Sequence, residues 1–216
     1  MKTFKVLNLY AGIGGNRYLW DGIPDLQITA VELNPKIAHL YTQMHPNDNL
    51  IIGDAHEYLI NNFEKYDFIW SSPPCPSHSK MMKATDHKIH KYPDFKLYEE
   101  VVFLDNFYKG KYVIENVVPY YKPLIPAQKR NRHLYWANFK IPHIEIPKLK
   151  DFSRVNRSQI AEWLGFDYPG KNVYIDGCHD PVKPLRNCVH PIEGLTILKA
   201  ALSIIEDNNV KQSKLF

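Results

Sequence analysis

Hydrophobic and polar positions along the chain alternate between short apolar runs and longer amphipathic segments. Apolar runs at residues 6–10, 28–33, 50–54 and 68–72 have the length of buried strands. The stretches between them carry helix-compatible patterns at 17–20, at 35–41 and in the interval before residue 68. That order, βαβαβαβ, predicts a parallel sheet with right-handed crossovers and helices on both faces, an α/β fold. Residues 97–108 continue as a helix with Val101, Leu104 and Tyr108 on one face, followed by a fifth strand at 111–117 and a sixth at 134–139. Helices are expected at 158–165 and from residue 192 to 205–207, the last returning to the sheet.

The remaining composition narrows the picture little. A chain of 216 residues suits one domain, and we expect a single catalytic unit over 1–216. No run reaches the roughly 18 apolar residues of a membrane span, and the N-terminus enters a strand directly, so a cytoplasmic protein without membrane partners is expected. The three cysteines, Cys75, Cys178 and Cys188, form no CxxC pair. They suggest neither a disulfide framework nor a zinc knuckle, and Cys178-His179 with Cys188 and His190 matches no metal spacing, so no metal is expected. A net charge of +4 is compatible with nucleic acid without demonstrating it.

Candidate chemistry collects at the ends of the strands. Gly12, Gly14 and Gly15 form a strand-to-helix turn that lets a ligand approach backbone N–H groups, or that uses glycine for geometry alone; it is not the GxGxxG dinucleotide fingerprint. Glu32 ends the second strand 20 residues beyond Gly12. That position suits a carboxylate accepting ribose hydroxyls, a solvated strand end or a cap before Pro35. Asp54 ends the third strand and either accepts from an exocyclic amine or caps a helix beginning near Ala55. The fourth strand stops at Pro73-Pro74, which stiffen the turn carrying Cys75. If the fourth and fifth strands are neighbours, Cys75 and Glu115 emerge side by side as nucleophile and general acid. The tract 76–93, with Lys80, Lys83, His87, Lys88, His90 and Lys91 against Asp86 and Asp94, is either a solvated loop or a lid that meets phosphates. Gln128-Lys129-Arg130-Asn131-Arg132 offers cations for a phosphate or carbonyl oxygen, or a solvated edge.

Taken in order, Tyr10-Ala11-Gly12-Ile13-Gly14, Glu32, Asp54, Pro73-Pro74-Cys75, Glu115-Asn116-Val117, the Gln128–Arg132 run and Asn187-Cys188-Val189 resemble the cytosine-C5 DNA methyltransferases. The resemblance covers about residues 5–200. It implies a Rossmann-like S-adenosylmethionine-dependent fold acting on DNA with the target cytosine flipped out. It makes Cys75 the nucleophile for carbon-6, Glu115 the acid at N3, and Arg130 or Arg132 the cation on the base carbonyl. The methyl donor, S-adenosylmethionine, would lie along Tyr10, Gly12, Ile13, Gly14, Glu32, Leu33, Asp54, Ala55 and Pro74, with Asn187 and Val189 closing the pocket. The sequence departs from the family's pattern in three places: Tyr10 stands where Phe is usual, Pro76 where Gln is common, and Arg186 where Gly is usual. Only about twenty residues separate His133 from Arg157, where the family carries a domain that reads DNA sequence. Residues 139–153 then read as its vestige, with a partner chain as one source of recognition. C5-methylation of RNA or of a free nucleotide, an amino-methyltransferase and an inactive nucleic-acid-binding module are the rival expectations.

Overall fold

Alternation along the central strands sends successive side chains to opposite faces of a sheet. In β1 (Phe4–Leu9), Leu7 and Leu9 enter one apolar cluster and Val6 the other; in β4 (Phe68–Ser71), Ile69 faces the first and Phe68 and Trp70 the second. All of these are fully buried, each contributing about 1.5–3 kcal/mol. The structure, a computed structural model, describes residues 3–79, 92–152, 154–170 and 180–203.

Between the strands the chain forms α1 (Pro35–Met44), α2 (Ala55–Asn62) and α3 (Lys96–Phe107). The first is capped by Asn34, whose Oδ1 accepts from Lys36 N and Ile37 N, with Pro35 opening the helix where its missing N–H costs nothing. With β2 (Leu26–Glu32), β3 (Asn49–Ile52), β5 (Lys111–Val117), β6 (Gln128–Arg130) and β7 (His133–Ala137), the strands make one seven-stranded sheet in the order β3-β2-β1-β4-β5-β7-β6. The first five strands of that order pair parallel with one another. Side chains of α2 and α3 cover one face, and those of α6 (Pro191–Ala201) cover the other. A third cluster joins α1 to α4 (Arg157–Leu164) and the short α5 (Lys183–Arg186).

Three expectations need correction. Residues 17–20 form turns and a single 3-10 turn, Trp20–Gly22, rather than a helix. Arg17 is the cause: it is buried, forks onto Asp48 at 2.7 and 2.8 Å and reaches Asp21 at 2.6 Å, which fixes a bend there. The expected sixth strand begins one residue earlier, as β7, and the run 128–130 ahead of it is itself a strand. Both are antiparallel, because the two-residue connection Asn131-Arg132, with Asn131 at φ +46°, allows only a hairpin. The last helix ends at Ala201, short of its expected end at 205–207, because Leu202 caps it and Ser203 turns away at φ +58°. No helix among the described residues is long and apolar enough to cross a membrane.

Candidate active site

Because β4 and β5 pair in parallel, from Phe68 with Lys111 to Ser71 with Ile114, both strands deliver their next residues to the same carboxyl edge. Glu115 follows Ile114 directly, and Cys75 lies four residues beyond Ser71 on the turn that Pro73 and Pro74 stiffen. The two residues line one cavity of about 540 Å3. Asn116 ties the strands together there: its Nδ2 donates to Pro73 O at 3.0 Å and its Oδ1 accepts from Val117 N at 2.9 Å. The Cys75 carbonyl accepts from His78 N and Ser79 N, so the turn is closed on both sides. Burial first, and then the Glu115 carboxylate, push the Cys75 thiol above its ordinary value, while Arg132 and Lys183 pull it down. In the free protein the sulfur is therefore held as a thiol near neutral pH.

At the other end of the cavity, Gly12 takes φ +56°, and a Cβ built there meets no atom within 4 Å, so a side chain would occupy the open space that a ligand can use. Its N–H donates to Glu32 Oε2 at 2.9 Å, and Asn34 N donates to Glu32 Oε1 at 2.8 Å. A carboxylate offers about four acceptor positions, so this pair orients Glu32 and leaves others for two hydroxyls. Asp54 caps α2 through Glu57 N at 2.9 Å and also lines the cavity; that backbone N–H is the main reason its carboxyl is held below the usual range. Both sequence readings of Asp54 are thus compatible with one position. Tyr10, Ile13, Leu33, Ala55, Pro74, Asn187 and Val189 line the same cavity, with Leu33 66% exposed at its rim. The glycine cradle, the half-engaged carboxylate and the exposed apolar rim fit S-adenosylmethionine, and the volume is in the range of small-molecule sites.

Two expected residues fall elsewhere. Gly14 does not line the cavity; at φ +77° it is packed so closely that a Cβ would lie 2.3 Å from His45 Nε2 and 2.9 Å from Tyr41, so it serves packing of the turn on α1. Arg130 turns away, its guanidinium donating to the carbonyls of Lys129, Ile141 and Pro142, and its role as the cation of the site is withdrawn. Arg132 does line the cavity, with Nη2 on Arg186 O at 3.2 Å and Cys188 O at 3.0 Å and its guanidinium 4.1 Å from the Phe152 ring centroid. The segment after β7 has no strand or helix through residue 152, yet it buries Ile141 and Ile144 in the core, and Pro147 O accepts from Trp163 Nε1 at 2.7 Å. Of the expected basic lid, residues 80–91 lie outside the described residues, as do Cys178 and His179; among the described residues no cluster of His, Cys, Asp and Glu could hold a metal.

Sequence reading missed two buried polar groups. Glu100, on α3 and fully buried, accepts from Tyr10 OH at 2.7 Å, Ser71 Oγ at 2.6 Å and His56 Nδ1 at 3.2 Å. Glu193, on α6 and also fully buried, stands with His133 behind Glu115. A glutamate on an amphipathic helix ordinarily reads as solvent-facing. Only their neighbours, Tyr98 and Val101 for one and Pro191 and Gly194 for the other, hint at a buried turn.

A doubly wound sheet in the order 3-2-1-4-5-7-6, with a glycine turn after β1 and an acid at the tip of β2, defines a Rossmann-like S-adenosylmethionine-dependent methyltransferase. Solved structures agree in fold. The Entamoeba histolytica methyltransferase EhMeth superposes with a TM-score of 0.58 at 12% identity, covering 96% of this chain and 100% of that one. The S. pombe Dnmt2 methyltransferase gives 0.58 at 13%, covering 93% and 98%. Within that class the chain belongs to the C-5 cytosine-specific DNA methylase family, whose model matches residues 4–123 and so takes in both Cys75 and Glu115. A curated relative, the type II methyltransferase M1.HgaI of Avibacterium volantium, is 32% identical over 92 residues, a stretch that is 39% of this chain and about a quarter (26%) of that protein.

Proposed function

We propose that this chain transfers a methyl group to carbon-5 of cytosine in DNA through a covalent intermediate on Cys75. The observation that carries the reading is the convergence of Cys75, Glu115 and Arg132 on one cavity continuous with the Gly12–Glu32 cradle. Carbon-5 of cytosine is a poor nucleophile, so the ring needs a sulfur attack at carbon-6 first. As the Cys75 sulfur, having lost its proton, bonds to carbon-6, Glu115 gives a proton to N3 and the ring's electron density reaches carbon-5. Arg132 opposes negative charge developing on the ring and lowers the cost of the thiolate. Bound S-adenosylmethionine supplies an electrophilic methyl group. Loss of the carbon-5 proton to water in the open cavity, return of the N3 proton to Glu115 and cleavage of the sulfur–carbon-6 bond then free Cys75 and leave 5-methylcytosine in the DNA.

Tyr10, Glu32 and Asp54 orient the donor's nucleoside, and Asn187 and Val189 close on it from the turn before α6. A paired base cannot reach Cys75, so the target must leave the duplex at a cost of a few kcal/mol. Residues 139–153 are too short and too committed to the core through Ile141 and Ile144 to read a long sequence alone, which supports recognition supplied in part by another chain. The test is methyl transfer to duplex DNA, transfer RNA and dCMP side by side, each with a Cys75→Ser control. Transfer to DNA that the control abolishes supports the proposal. Transfer to RNA or dCMP alone assigns the same chemistry to another substrate, and transfer by the control refutes the nucleophile.

A further inference from the structure

Behind Glu115 lies a set of polar side chains that the proposed reaction leaves unused. His133, at the start of β7, is buried between two carboxylates, with Nε2 3.6 Å from Glu115 Oε1 and Nδ1 3.6 Å from Glu193 Oε2. Glu193 is fully buried; Asn131 Nδ2 donates to its Oε1 at 3.3 Å, and the Tyr135 hydroxyl faces its carboxylate. His133 Nδ1, Glu193 Oε2 and Tyr135 OH are all buried and, among the described residues, make no hydrogen bond of ordinary geometry, the Tyr135 hydroxyl facing Glu193 without closing on it. Unsatisfied buried groups of this kind are costly, and three of them meeting at one point call for an explanation.

We propose that Glu115, His133 and Glu193 form a buried proton file that holds one proton in common and delivers it to Glu115 when N3 of cytosine requires it. The inference rests on the reading of Glu115 as the acid at N3. Charge balance supports it. Two buried carboxylates face one fixed cation, Arg132, so the group carries a net negative charge unless the file holds a proton, and an unbalanced charge in this setting is expensive. A proton anywhere in the file neutralises it, and moving that proton from imidazole to Glu115 leaves the total unchanged. In the reaction the shared proton starts on His133 as imidazolium, passes from Nε2 to Glu115 and goes from there to N3, while His133 is left neutral with its Nδ1 proton toward Glu193. When the cytosine adduct breaks down the N3 proton returns by the same route, so nothing is consumed. The 3.6 Å separations exceed a hydrogen bond and close with a small shift, as such contacts do when substrate binds. The other titratable groups facing the file are Tyr135 from β7, Arg132 from the turn before it, Cys75 beyond β4, and Cys188 and His190 ahead of α6. His133 is on this account a positioning residue that acts through Glu115.

The experiment is single-turnover methyl transfer from about pH 6 to pH 9 by the wild type, His133→Asn, Glu193→Gln, the double variant and Glu115→Gln, with donor affinity measured alongside. The wild type should be flat across neutral pH. His133→Asn should fall about tenfold per pH unit and recover toward the wild-type rate at the acid end, because Glu115 must then take its proton from solvent. Donor affinity should be unchanged, and the double variant should be no slower than His133→Asn alone, since both changes cut one path. Should His133→Asn not fold, Glu193→Gln carries the same readout. Profiles parallel to the wild type, with Glu115→Gln inactive, overturn the file while leaving the role of Glu115 standing. Near-normal turnover by Glu115→Gln overturns both.

Discussion

Replacing Glu100 tests how the fold holds the donor end of the site. Its two oxygens collect three donors, Tyr10 OH, His56 Nδ1 and Ser71 Oγ, at 2.7, 3.2 and 2.6 Å, and the residue has no solvent exposure. Hydrogen bonds to a charged group contribute about 1.5–3 kcal/mol each. They share one carboxylate, so their sum overstates the effect, and removing one partner of a buried charged network costs about 3–5 kcal/mol. Glu100→Ala should therefore destabilise the protein by about 3–5 kcal/mol. Glu100→Gln keeps one acceptor and should cost about 1–2 kcal/mol, because a hydroxyl can turn to accept from its amide. The functional consequence runs through Tyr10, which sits at φ +54°, an unfavourable backbone conformation that its hydroxyl bond to Glu100 helps to hold. Loosening it should weaken S-adenosylmethionine binding about tenfold, or about 1.4 kcal/mol. Urea unfolding read at constant slope gives the stability change, and calorimetric titration with the donor gives the affinity. Tyr10→Phe removes the same hydroxyl bond while keeping the ring, so it should weaken donor binding in the same direction and by no more than Glu100→Ala. A Glu100→Ala protein within about 0.5 kcal/mol of the wild type, or one with unchanged donor affinity, would refute this reasoning.

Three other outcomes are expected. Gly194→Ala places a Cβ 2.0 Å from Asn16 O and 2.7 Å from Asn16 Cα, all backbone, so α6 must move off the glycine turn. A loss of about 2–4 kcal/mol in urea unfolding, with weaker donor binding, is predicted, and wild-type stability would contradict that packing. Arg132→Ala should lose about 100-fold or more in methyl transfer while Arg130→Ala stays within a few-fold; equal losses in steady-state assays would show that the two arginines were wrongly separated. Since burial and Glu115 hold the Cys75 thiol above its ordinary value, alkylation by iodoacetamide should be slow at neutral pH and accelerate as pH rises. Glu115→Gln removes a negative charge that favours the thiol, so it should speed that alkylation at a given pH even as it stops turnover; a slower reaction would reverse the assigned sign.

The strands were legible because their residues alternate or run apolar over a short span; the adjacency of β4 and β5 was left open, because chain order does not fix pairing, as β3 and β4 are consecutive yet not neighbours. The placement of Gly12, Glu32, Cys75 and Glu115 along one edge was legible for the same reason: each sits near a strand's end, where position along the chain is nearly position in space. Arg130 was not separable from Arg132, because two residues in a hairpin point opposite ways and a run of alternating cations carries no sign of which face is inward. Glu100, His133 and Glu193 were missed since their meaning lies in contacts made across the sheet, between residues up to 90 positions apart. The failed helix at 17–20 has the same origin, as Arg17 is bent by Asp48 from beyond α1.

The central claim is that Cys75 bonds to carbon-6 of cytosine. Fluorine at carbon-5 cannot leave as a proton does, so an enzyme of this chemistry stalls after methyl transfer with the base still attached. Duplex DNA containing 5-fluorocytosine, incubated with the protein and S-adenosylmethionine and analysed by mass spectrometry after proteolysis, should give a nucleotide adduct on the peptide bearing Cys75. Methyl transfer to ordinary DNA cytosine without any such adduct, or with the adduct on another residue, would contradict the account.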